Sequence, residues 1–102
     1  MCKKLLPSCT EIYTPLLCEL FIKSLHGQTC YTVEAYNSVG EELGLSNKQW
    51  NLKMEDGRNH WENRVQSAKG NLVKNGYVYT VSRGCWGITE EGKKYFLRNT
   101  KL

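Results

Sequence analysis

Between Asn59 and Ile88 the hydrophobic pattern of the chain changes period once, and this change constrains the fold more than any other feature. Trp61, Val65, Ala68 and Leu72 follow one another at helical spacing. At about 100° per residue they fall within one narrow sector of an α-helix. Asn59, with Glu62 three residues later, reads as a capping box that opens this helix, and Asn75-Gly76 closes it. Tyr77, Tyr79 and Val81 then alternate with Val78 and Thr80, which is the period of a strand. Ser82-Arg83-Gly84 forms a tight turn, and Cys85 to Ile88 returns as a second strand with Trp86 and Ile88 on one face. A long helix therefore runs straight into a two-stranded hairpin.

The segments upstream read as two further helices and a loop. Thr14 is a good N-cap and Pro15 suits a first helical position, where its missing N–H costs nothing. The first helix is thus expected over Pro15 to Leu25, with Leu16, Leu17, Leu20, Phe21 and Leu25 as its apolar stripe and Gly27 as its stop. Thr29 to Thr32 is β-prone. Thr32 caps a second helix from Val33 to Leu43, with Val33, Tyr36, Val39 and Leu43 near one face, Gly40 as a weak point and Gly44 as its end. Leu45 to Arg58 is polar and the least regular stretch, a loop with at most one helical turn. After the hairpin, Thr89 caps a last helix, with Glu90 and Glu91 in its first turn and Tyr95, Phe96 and Leu97 as anchors. Residues 1–12 are expected to be an extension, 13–98 one domain and 99–102 a tail.

Composition narrows the class. At 102 residues, 40% hydrophobic and 24% charged, the chain is an ordinary globular domain. No apolar run reaches the roughly 18 residues of a membrane span. Lys3 and Lys4 precede Leu5 and Leu6, but Pro7-Ser8 cut that run too short for a signal peptide, so a cytoplasmic protein is expected. The five cysteines include no close CxxC pair, which argues against zinc, and their odd number argues against a disulfide framework. Cys18 is expected to be a buried small hydrophobe and the others reduced thiols. His26 and His60 have no cysteine tied to them by a local motif, and the adjacent Glu41 and Glu42 diverge on a helix. No catalytic chemistry, metal or cofactor is expected.

Helix, short strand, helix, loop, helix, hairpin is the order of a winged helix, an α+β and mostly helical class. In that architecture the third helix enters the major groove of double-stranded DNA and the hairpin lies along the backbone. Opposite the Trp61 to Leu72 stripe stand His60, Asn63, Ser67, Gly70 and Lys74, flanked by Arg64 and Asn71. This face carries no carboxylate, because Glu62 is assigned to the cap. Asn, Ser, His, Arg and Lys supply donors for phosphates and base edges. The candidate DNA contacts are therefore His60, Asn63, Arg64, Ser67, Asn71 and Lys74 on the helix and Arg83 on the hairpin turn. The net charge of +4 permits a polyanionic partner without demanding one. A polar face is also what any surface helix shows. A protein-docking or dimerising use through the Tyr77/Tyr79 edge or the Trp50 loop, and a transcriptional regulator, stay open. Trp50 and Trp61 are read as core, and Lys3 and Lys4 as a solvated terminus.

The run from Asn59 to Phe96 resembles the N-terminal domain of Mrr-like restriction endonucleases. The residues that carry the resemblance are Asn63-Arg64-Val65 in the helix, Leu72 with Gly76 at its break, Arg83-Gly84 with Trp86 in the hairpin, and Ile88-Thr89-Glu90-Glu91-Gly92. Tyr13 to Phe21 is similar to that family's first helix with its Pro-Leu-Leu entry. The chain departs from the family at Ser67-Ala68, where Trp-Ala is usual, and at Gly70. The resemblance implies a DNA-reading module that precedes a nuclease domain of the PD-(D/E)xK type and serves a restriction system directed at modified DNA. After Ile88 this sequence holds only a short helix and a tail, so the expectation is a reader without its nuclease, either a piece of such an enzyme or a standalone relative.

Overall fold

A computed structural model describes residues 6–82 and 84–99. In chain order the elements are α1 (Cys9–Leu25), β1 (Cys30–Tyr31), α2 (Thr32–Glu42), α3 (Asn47–Trp50), α4 (His60–Lys74), β2 (Val78–Ser82), β3 (Cys85–Ile88) and α5 (Glu90–Asn99). The architecture is mostly helical α+β with a small antiparallel sheet in the order β1-β3-β2. Cys30 pairs with Trp86 and Val78 with Ile88, and the β2–β3 register shifts between Thr80 and Ser82. As the central strand, β3 is buried along its whole length. Arg83, Lys3 and Lys4 lie outside the described residues.

The helix-to-hairpin junction forms where the period changes. Trp61, Val65, Ala68 and Leu72 are all buried. Gly76 takes φ +80° after the last turn of α4, a conformation that costs glycine little and other residues more. Its N–H donates to the Val73 carbonyl at 3.0 Å and the Tyr77 N–H to the Leu72 carbonyl at 2.9 Å, the paired bonds of a Schellman end. The Thr89 hydroxyl joins the next corner: it donates to the Gly76 carbonyl at 2.6 Å and accepts from the Gly92 N–H at 2.9 Å, capping α5.

Several expectations are corrected. Helix α1 begins at Cys9 rather than Pro15, because Ser8 and Glu11 form a capping box. The Ser8 hydroxyl accepts from the Glu11 N–H at 3.3 Å, and the Glu11 carboxylate accepts from the Ser8 N–H at 3.1 Å. The earlier start buries Ile12 beside Leu16, Leu17 and Leu20, which offsets the one backbone bond that Pro15 removes from the helix interior. Tyr31, not Thr32, is the cap position of α2, and the Glu34 carboxylate accepts from its N–H at 3.2 Å. The buried face of α2 is Ala35, Val39 and Gly40, while Val33 is 65% exposed. The Trp50 ring lies directly on Gly40, where any Cβ would overlap it. The small residue is thus a docking site for an aromatic rather than a weak point. The expected single helical turn of the loop is α3, opened by a capping box between Ser46 and Gln49.

Candidate nucleic-acid interface

Helix α4 crosses the molecule with one side sealed and two flanks already engaged. On one flank it meets the start of α1: Arg64 Nη1 donates to the Pro7 carbonyl at 3.2 Å and Asn71 Nδ2 to the Tyr13 hydroxyl at 3.0 Å. At about 100° per residue, Gln66 and Lys69 fall on the other flank. There Gln66 Nε2 donates to the Tyr36 hydroxyl on α2 at 2.8 Å, and the Lys69 ammonium stands 5.3 Å from the centre of the Trp86 ring on β3. The arc between the flanks holds His60, Asn63, Ser67, Gly70 and Lys74.

The seven candidate residues divide by what their side chains already do. His60 and Asn63 are half-buried, and Ser67 and Lys74 are exposed. None of these four makes a side-chain hydrogen bond or ion pair among the described residues, so their polar atoms are available to a ligand. Lys74 sits in the last turn, where the helix dipole favours a cation. Arg64 and Asn71 are instead committed to tying α1 to α4, although a guanidinium has five donors and Arg64 has spent one of them. Arg83 is outside the described residues. Gly70 faces open space, with nothing near the place a Cβ would occupy.

The start of α4 differs from the expected capping box. Asn59 supplies its half: Oδ1 accepts from the Glu62 N–H at 3.0 Å, and Nδ2 donates to the Trp50 carbonyl at 3.0 Å. The Glu62 carboxylate does not return the bond; the loop before α4 meets its start in a bridge between Lys53 and Asn59. Within that loop the Met54 N–H donates to the Arg58 carbonyl at 2.8 Å, and Arg58 Nε is ion-paired to Asp56 at 2.7 Å. Beside it a cleft of about 340 Å³ opens between α2 and α4, lined by Tyr36, Arg58, Asn59, Glu62, Asn63 and Gln66. Tyr36, Glu62 and Gln66 were absent from the sequence candidates. The one local signal for them is the Glu62/Gln66 spacing of one helical turn.

Most of the aromatic residues pack against one another or the core, while Tyr31 and Tyr79 are exposed. Trp50 and Trp61 meet edge to face at 6.2 Å, and Trp61 Nε1 donates to the Tyr36 carbonyl at 3.0 Å. Tyr77 stacks on Tyr95 at 4.4 Å, and the Tyr79 ring covers Gly87. Among the described residues, which exclude Cys2, Cys30 and Cys85 are the buried thiols, whereas Cys18, expected to be buried, is half-buried at the edge of a groove with Pro15, Glu42 and Phe96. Burial pushes the Cys30 thiol up to about 12, so it keeps its proton. No helix among the described residues is long and apolar enough to cross a membrane.

The chain is thus a small, mostly helical α+β domain that holds α4 by both flanks and leaves its outer arc polar and unspent. Residues 10–98 match the family of the Mrr N-terminal domain, and the chain belongs to that family. The match covers most of the chain and places it in the context of Mrr-like restriction systems. No curated protein and no solved structure matches it.

Proposed function

We propose that this domain is a winged helix that binds double-stranded DNA as the target-recognition module of an Mrr-like restriction system in the cytoplasm, without catalytic chemistry of its own. In this reading α4 enters the major groove and the β2–β3 hairpin is the wing beside it. The observation that carries the reading is the arc of α4 between its two engaged flanks. Asn63, Ser67 and Lys74 are uncommitted there, no carboxylate interrupts them, and Gly70 leaves room for close backbone approach. The family membership supports the restriction-system setting, and a target in modified DNA follows from the resemblance to Mrr-like enzymes. A second reading, a protein-docking module, rests on the outer face of β2, where Tyr79 and Val81 are 46% and 48% exposed.

Fluorescence-anisotropy titration of labelled duplexes at two salt concentrations separates the two. One duplex is unmodified, one carries 5-methylcytosine and one N6-methyladenine. Salt-sensitive binding that tightens on one modified duplex is the expected result, because phosphate contacts release counterions. Equal salt-sensitive binding to all three leaves a general DNA-docking domain. Absence of binding at low salt contradicts the proposal and favours the β2 face.

A further inference from the structure

We propose that the cleft between α2 and α4 reads an exocyclic amino group of a base in the major groove, and that Glu62 and Gln66 thereby set which DNA the domain prefers. This inference rests on the DNA-binding reading above.

The chemistry follows from subtracting the groups that are already spent. Of the six lining residues, Arg58 gives its Nε to Asp56 and keeps its Nη donors, and Asn59 uses its side chain at both ends, on the Glu62 N–H and the Trp50 carbonyl. Gln66 uses its amide nitrogen on Tyr36, which leaves its carbonyl oxygen open. The Glu62 carboxylate, freed from the cap, makes no hydrogen bond among the described residues. What remains includes a cluster of acceptors on α4, two Glu62 carboxylate oxygens, the Gln66 carbonyl and the Asn63 carbonyl, beside the donors of the Arg58 Nη groups, the Tyr36 hydroxyl proton and the Asn63 amide. The acceptor cluster suits a donor. The donors that bases present in the major groove are the N6 amino group of adenine and the N4 amino group of cytosine. Asn63 belongs both to the cleft wall and to the open arc of α4, so a base edge read in the cleft lies next to the groove-facing surface. The volume of about 340 Å³ leaves room for that edge.

Binding of the full chain to a duplex panel that varies one base pair at a time tests this, with N6-methyladenine and N4-methylcytosine among the substitutions. The parent protein is expected to prefer an amino-bearing base at one position, and the adenine and cytosine duplexes decide which. Glu62→Gln and Gln66→Ala, both at exposed positions, are each expected to reduce that preference by about tenfold. Lys74→Ala lowers affinity for every duplex and leaves the ratio unchanged. Variant profiles superimposable on the parent's overturn the inference. So does a uniform rise in affinity for Glu62→Gln, which is what loss of one negative charge beside DNA gives without base reading. A parent that binds every duplex equally overturns the inference while the DNA-docking reading stands. A parent that binds no duplex at low salt overturns both.

Discussion

The two sides of α4 obey different rules. On the inner side Trp61, Val65, Ala68 and Leu72 are sealed, and each position is fixed by volume and period. On the outer side Asn63, Ser67 and Lys74 are fixed by nothing in the domain itself. The flanks between them carry polar residues of the same types, yet Arg64, Asn71 and Gln66 are committed to Pro7, Tyr13 and Tyr36. A polar residue on a surface helix is therefore informative only once its partners are known. Arg64 and Lys74 are both cations on one helix, but one holds the fold and the other is free to hold a ligand.

This contrast predicts a separation of stability from binding. The largest effect is on the inner side: Trp61→Ala removes a fully buried indole and is expected to cost about 3–5 kcal/mol, seen as loss of the cooperative transition in urea. Gly40→Ala, which forces a methyl group into the Trp50 ring, is expected to cost about 1–3 kcal/mol. A melting curve unchanged from the parent would remove the packing role given to Gly40. Arg64→Ala, at a flank, is expected to lose about 1 kcal/mol through the bond to Pro7. Lys74→Ala, on the outer side, shifts the melting curve less than Arg64→Ala does, because only the helix dipole favours that cation, and it weakens DNA binding for all sequences and flattens the salt slope by about one unit. If Lys74→Ala lowers stability as much as Arg64→Ala, the division between spent and free cations fails.

The smallest effect is one of pH, away from α4. The hydrogen bond between Lys23 Nζ and Glu34 at 2.9 Å holds the Glu34 carboxyl below its ordinary 4.5 and lifts the Lys23 ammonium above its ordinary 10.5. The contribution of Glu34 is present above 4.5 and lost as pH falls through its lowered value. That of Lys23 is present below 10.5 and lost as pH rises through its raised value. Between these limits Glu34→Gln is expected to lower the melting temperature slightly and by a constant amount, with the difference from the parent closing at acid pH.

What was legible in the sequence follows the same division. The buried stripe of α4 and the hairpin after it are legible because their signals are periodic and local, although Tyr77 stays outside β2 and β3 is buried on both faces. The start of α1 differs from the expected one because Thr14-Pro15 mimics a helix entry, whereas the Ser8/Glu11 capping box upstream starts the helix early enough to bury Ile12. The inner face of α2 was misread because it packs through Ala35 and Gly40, whose value lies in being small enough to admit Trp50. The site was legible as a face but not as a division of labour. Arg64 and Asn71 find their partners across 57 and 58 residues of chain, and no local pattern announces pairings at that distance. Glu62 was assigned to a cap that Asn59 completes without it, which hid the cleft.

The most direct test of the central claim is to follow the backbone amide resonances of the 11.8 kDa chain as an unlabelled duplex is added. The account predicts that Asn63, Ser67, Gly70 and Lys74 move first and furthest, in a salt-dependent way, while Thr14, Ile22 and Ser38 on the far side of α1 and α2 stay still. Shifts confined to that far side or to β2, with the α4 arc unmoved, would contradict it.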